Sequence, residues 1–311
     1  MNKLTRFYNK NRKIIWSALF ILVIIISVPK ALDNYVIKQK ELNQSSSNEN
    51  ITTTSGNKDY SIISGETVKK ETNIQNNIII SNYIDYCNNK KVEEAYSLLS
   101  NNCKEKLYPS MQDFYNDYYN NVFSDKKIYD IQAWYTNNNC YTYKVDFKED
   151  ILSTGNTDVS SMEDYYTIVI ENGENKLNIN SYVQTEEINK QNEINEVKVT
   201  LLSKDIYMDY EIYNLVVETK TEKPIYLDSL ENTNTMYLTD SEGLHYYAYN
   251  HELVKEELRV RGIKNVKIKF NKKYTTKRQL TSIMFSDIIP NSDNYILNGG
   301  YEDRKKLEIN F

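Results

Sequence analysis

The chain has 311 residues, 40% of them hydrophobic, with a mean hydropathy of −0.66 and a formal net charge of −5. That length suits about two domains, at roughly 100–200 residues each. An acidic chain repels phosphate backbones, and counterion release needs clustered Lys and Arg, so no nucleic-acid partner is expected. The wealth of Asn, Lys, Ile and Tyr (28 Tyr against 8 Gly and 4 Pro) has AT-rich codons, so a low-GC bacterial genome is expected and the tyrosines are discounted as a signal.

Lys3, Arg6, Lys10, Arg12 and Lys13, with no acid among them, precede the uncharged run IIWSALFILVIIISV from Ile14 to Val28. A spanning helix needs about 20 residues. Residues 14–32 reach that length when Lys30 snorkels its amine to the headgroups. Trp16 and Tyr35 fall at interfacial positions, and the charge asymmetry sets the N-terminus inside. The sequence therefore predicts a cytoplasmic basic stub at 1–13, a signal anchor and transmembrane helix at 14–32, and a plasma-membrane, single-pass protein whose remainder is extracytoplasmic. A cleaved signal peptide is the alternative, with Pro29 and Lys30 standing where its small cleavage residues belong. Residues 33–73 read as a disordered tether, because ELNQSSSNENITTTSGNKD buries too little apolar surface to offset its ordering entropy.

Helical spacing begins next. Ile79, Tyr83 and Cys87, then Val92, Ala95, Tyr96 and Leu99, then Met111, Tyr118 and Val122 predict helices over about 75–89, 91–102 and 110–123. Ser110 and Asp113 resemble a capping box. The period then changes to two: Tyr141, Tyr143, Val145 and Phe147 alternate with polar residues. Further strands are expected at 128–134, 165–171 and 177–183, with a hairpin at Asn172-Gly173 lengthened by Glu174 and Asn175. On these residues, and on IISNYIDYCNNKKVEEAYSLLS at 79–100, the segment 74–185 resembles a nuclear-transport-factor-2-like domain. The resemblance implies an α+β fold, with helices on a curved antiparallel sheet.

Residues 186–196 are polar and read as a linker. Beyond them short strands are expected at 197–203, 207–219, 224–228, 235–239, 244–249, 264–270, 281–287 and 305–311, a spacing that suits a β-sandwich. The segments IYMDYEIYNLVVETKTEKPIYLDSLE and MYLTDSEGLHYYAY look like immunoglobulin-like domains. The fold expected is thus an N-terminal transmembrane helix, an α+β domain at 74–185 and an all-β immunoglobulin-like sandwich at 197–311.

Chemistry is sparse. The two histidines, His245 and His251, lack a metal fingerprint such as H-E-x-x-H. The acidic pairs Glu93-Glu94, Glu149-Asp150 and Glu186-Glu187 read as solvated, and there is no glycine-rich phosphate loop. An enzyme would have to draw on Asp85, Asp113 and Asp117 with tyrosines. No catalytic, cofactor or metal residue is assigned, and no cofactor is expected. Cys87 and Cys103 are either a disulfide between helices or buried thiols, and Cys140 has no neighbouring base to activate it. One constellation stands out: Tyr115, Tyr118, Trp134, Tyr141 and Tyr143, expected where the third helix meets the sheet, as a pocket or partner surface or as ordinary core. The function expected is a non-catalytic adaptor that binds other envelope proteins, possible homo-oligomers included; the alternative is a ligand-binding or sensor module using that aromatic concavity. The layout is partly similar to the bitopic channel proteins of bacterial conjugation systems, which implies a place in a secretion machine.

Overall fold

The structure, a computed structural model, describes residues 60–137, 140–149, 161–228, 234–249, 258–294 and 304–311. Helix α1 (Lys70–Asn88) buries Asn76, Ile80, Tyr83, Ile84 and Cys87, a stripe at spacings of three and four. The Asn88 side chain donates to the Lys127 carbonyl and accepts from its N–H, both at 2.9 Å, fixing the helix end to the start of the sheet. Helix α2 (Val92–Ser97) is short because the chain after it bonds the sheet edge at Leu177: the Leu98 carbonyl accepts from the Leu177 N–H, and the Ser100 N–H donates to the Leu177 carbonyl, both at 2.9 Å. Ser100 then caps α3 (Asn101–Leu107) by accepting from the Cys103 N–H at 2.9 Å.

Helix α4 (Met111–Phe114) carries a complete capping box: the Ser110 N–H donates to Asp113 at 3.0 Å, and the Asp113 N–H donates to Ser110 Oγ at 3.2 Å. Ser110→Ala should therefore lower stability by about 1 kcal/mol, read from a denaturant midpoint; an unchanged midpoint would show that the cap is replaced by water. The helix widens into a π-helical turn at Tyr115–Tyr119 before a last α turn, Asn120–Val122.

Strands β1 (Lys127–Asn137), β2 (Cys140–Glu149), β3 (Ser161–Glu171) and β4 (Glu174–Asn178) form one antiparallel sheet in that order. The β3–β4 loop is the two residues Asn172 and Gly173, both at positive φ (52° and 81°), so the longer loop expected from sequence is replaced by a tight hairpin turn. Asn180 and Ser181 also take positive φ (57° and 60°), which breaks the strand expected over 177–183.

The second body packs two four-stranded sheets face to face. One has the order β12-β7-β6-β5, from Ile263–Phe270, Glu211–Thr219, Val197–Tyr207 and Tyr182–Ile194. The other has the order β10-β9-β13-β14, from His245–Tyr247, Met236–Asp240, Leu280–Ile288 and Lys305–Asn310. A small pair joins β8 (Ile225–Tyr226) to β11 (Arg259–Val260). Period-two burial is clean in β7, where Tyr213, Leu215 and Val217 point inward and Ile212, Asn214 and Val216 outward. The sheets are seamed at both sides: Tyr249 N–H donates to the Lys269 carbonyl at 2.8 Å, and Asn192 Nδ2 donates to the Glu308 carbonyl at 2.6 Å.

These observations correct the sequence reading. Strand makes up 50% of the structure and the helices are few, so no α-helical part of the nuclear-transport-factor-2 kind forms at 74–185. Within the segment expected to be a sandwich, 197–311, β6 and β7 are neighbours in one sheet and β9 lies in the other. Residues 186–194, read as a linker, belong to β5, and residues 60–67, read as tether, donate to β1 through the N–H groups of Ile62 (3.1 Å) and Ile63 (2.9 Å). Among the described residues no helix is long and apolar enough to cross a membrane. The longest, α1, carries Lys70, Glu71, Asp85 and several Asn. The expected span at 14–32 lies outside the described residues. The transmembrane architecture, signal anchor and plasma-membrane localisation are thus not supported by any helix in the structure.

Candidate functional site

The five aromatic residues singled out by sequence do not converge on one pocket. Tyr118 and Tyr143 are buried in the first core, Tyr115 is exposed, and Trp134 and Tyr141 are half-buried. Tyr143 donates to Asn73 at 3.0 Å and accepts from Asn76 at 3.1 Å, tying β2 to α1. Tyr115 stacks on Tyr119 at 5.4 Å, on the outer side of the π-helical turn. Trp134 lies 5.8 Å from Tyr165, with the Lys144 ammonium 5.6 Å from its ring. Between helices and sheet the space is occupied by interlocked rings: Tyr83 meets Tyr166 edge-on at 5.5 Å, Phe123 meets Phe147 at 5.5 Å, and Phe114 stacks on Tyr118 at 6.0 Å. Such pairs add about 0.5–1.5 kcal/mol each beyond their burial.

At the centre of that packing sits Asp164, which sequence reasoning missed. Its carboxylate accepts from Tyr118 Oη at 2.7 Å and from the N–H groups of Tyr165 (2.7 Å), Asn180 (3.1 Å) and Ser181 (3.0 Å). Burial pushes the carboxyl up to about 6, against the pull of those donors. Tyr118 also meets Tyr166 at 2.9 Å, and burial raises both phenols. Every carboxylate oxygen is engaged in holding the left-handed Asn180-Ser181 turn, an arrangement that positions backbone rather than substrate. Nearby, the buried Tyr83 hydroxyl finds no partner beyond the weak Cys87 thiol. Tyr83→Phe should therefore be neutral or stabilising by up to about 1 kcal/mol in thermal unfolding; a clear loss of stability would reveal a hydrogen bond there.

Cys87, Cys103 and Cys140 are all free thiols. Cys87 lies beside Tyr83, Cys103 bonds toward Ile179, and burial pushes both up to about 12, so of the two alternatives, disulfide or buried thiols, the structure has the thiols, with separate neighbours. Asp113 is consumed by its cap, while Asp85 and Asp117 are exposed, so the acids an enzyme would need do not meet. Among the described residues no group of three or more His, Cys, Asp or Glu is placed to hold a metal ion.

No protein-family model, curated protein or solved structure matches this chain. The site is therefore built from its own geometry.

The two bodies are welded together. Tyr135 of β1 meets Tyr274 edge-on at 4.8 Å, within a cluster holding Val183, Ile206 and Met208. Lys106 of α3 pairs with Asp205 of β6 at 3.0 Å. Close by, Lys272 and Glu211 form an ion pair at 2.7 Å with both side chains buried, and Tyr213 donates to the same carboxylate at 2.9 Å.

The exposed aromatic surface lies on the far sheet. The His245 ring stacks on Tyr237 at 4.1 Å, and Tyr247 stands edge-on to both, at 5.9 Å from Tyr237 and 6.0 Å from His245. Asp240 fixes this edge by accepting from the N–H groups of Glu242 and Leu244, both at 2.9 Å, and from Tyr246 Oη at 3.0 Å. Gly243, at φ +81°, closes the turn that this network requires. Met284, opposite Tyr237 in the register, extends the face and is half-buried, while Tyr247 is 40% and Tyr249 51% exposed. The run HYYAY signals this face in the sequence, because its alternate aromatics must point outward from one strand.

Proposed function

We propose that this chain is a non-catalytic adaptor: a stiff scaffold of two fused bodies that engages a protein partner through the face formed by Tyr237, His245, Tyr247 and Met284. One observation carries the reading. The interior aromatics are locked into packing, whereas this second group is stacked, pre-positioned and open to solvent. Exposed Tyr and Met on a rigid sheet are the residue types that dominate protein interfaces, since they bury large area at small conformational cost. The alternative, a ligand held in the first body's aromatic concavity, has less support because interlocked rings occupy that space.

The test is site-specific photo-crosslinking in cells. A photoreactive residue at position 247 should capture a defined partner, and Tyr237→Ser should abolish the capture. The same residue at position 170, exposed on the first sheet, should not capture it. Equal capture from both positions, or none from 247, would sink the proposal.

A further inference from the structure

A cleft of about 300 Å³ opens beside the small β8–β11 pair, lined by Pro224, Arg259, Arg261, Lys264 and Asp293. Its walls are fixed by backbone: Tyr226 and Ile289 exchange two hydrogen bonds (3.0 and 2.9 Å), and the Ser292 N–H donates to the Pro224 carbonyl at 2.8 Å. Arg259 is held by one edge of its guanidinium, with Nε donating to Ser292 at 3.2 Å and Nη2 paired with Asp293. Its Nη1 forms no hydrogen bond or ion pair among the described residues. Arg261, in the turn before β12, is exposed and forms no hydrogen bond or ion pair among the described residues. Lys264 Nζ donates to the Arg259 carbonyl at 3.0 Å, which brings a third cation to the same mouth.

Among the described residues that line this cleft, three are cationic and one is a carboxylate, within a chain whose net charge is −5. The lining is polar, which disfavours an apolar ligand. Like charges held this close repel one another, and a multivalent anion relieves that repulsion. A guanidinium offers parallel N–H donors that match a tetrahedral oxyanion, with an ammonium as a further point charge. We infer that this cleft is a binding site for a phosphate-class oxyanion, held by Arg259 Nη1, Arg261 and Lys264, with Asp293 orienting Arg259. This site is separate from the aromatic face and does not depend on the adaptor reading.

The experiment titrates the full-length protein with inorganic phosphate and with glycerol phosphate at constant ionic strength, followed by calorimetry and by the amide signal of Gly262. Saturable binding that shifts Gly262 and weakens at least about tenfold in Arg261→Gln/Lys264→Gln supports the site. Binding of both probes points to recognition of the phosphate group itself, and a preference for the ester points to a phosphorylated ligand. The basic residues before position 14 are a competing site in the same molecule, so Lys3→Gln/Arg6→Gln serves as the control and should bind unchanged. No saturable binding of either probe, or binding that the cleft variant leaves undiminished, overturns the inference.

Discussion

Replacing Asp164 by alanine is expected to be the most damaging single change in the first body. It removes the acceptor for the Tyr118 hydroxyl and for the N–H groups of Tyr165, Asn180 and Ser181. Each buried donor left without a partner costs about 1–3 kcal/mol. Ser181 retains a second acceptor in the Tyr165 carbonyl, and Tyr118 retains Tyr166, so the summed loss should be roughly 3–5 kcal/mol. Against a typical total stability of about 5–15 kcal/mol, that is a large fraction. A denaturant midpoint unchanged within error would mean the turn is held by something else.

The same residue sets a pH dependence. Burial raises the folded carboxyl from 3.8 to about 6, so between those values the native state holds more protons than the unfolded one. Stability should therefore fall as pH rises through that window and level off above it. The ionised form is then disfavoured in the fold by about 3 kcal/mol. Asp164→Asn removes this slope while keeping the side chain's size, so the difference between the two pH profiles isolates the effect. Parallel profiles would contradict it.

Lys272→Met is the second large effect. It strips Glu211, which is fully buried, of the ammonium 2.7 Å away, leaving Tyr213 and a Lys204 ammonium at 4.0 Å. Removing one partner of a buried ion pair costs about 3–5 kcal/mol, because the other charge stays desolvated. The double change Glu211→Met/Lys272→Met should recover most of that loss, to within about 1–2 kcal/mol of the parent. Equal destabilisation by the single and double variants would show that packing, and not the orphaned charge, is responsible.

The sequence was most legible where local rules act alone. The Ser110–Asp113 cap and the alternation through Tyr143, Val145 and Phe147 can be read from neighbouring residues, and both appear in the structure, whereas at the start of that strand Thr142 is buried and Tyr141 only half-buried. It was least legible where a distant partner decides. Residues 186–194 look like a linker because their outward positions are Glu, Lys, Gln and Asn, yet pairing with β6 makes them a strand. Helix α2 stops early because Leu177, far along the chain, bonds the backbone of Leu98 and Ser100. Asp164 carries no motif, and its role exists only once Asn180 and Ser181 turn back over it. The aromatic constellation failed for a related reason. Spacing located each residue on its element but not the direction in which the π-helical turn rotates Tyr115 away from Tyr118.

Strand β5 starts with Tyr182 inside the first core and ends with Ile194 against the second. It is therefore a beam embedded at both ends, not a hinge between two bodies. A pull applied at the aromatic face would load the β5–β6 hydrogen bonds together in shear, and the force would reach the helices with little rotation. Neither half could be excised without cutting through β5, which pairs with β6 on both sides of its bulge at 187–190.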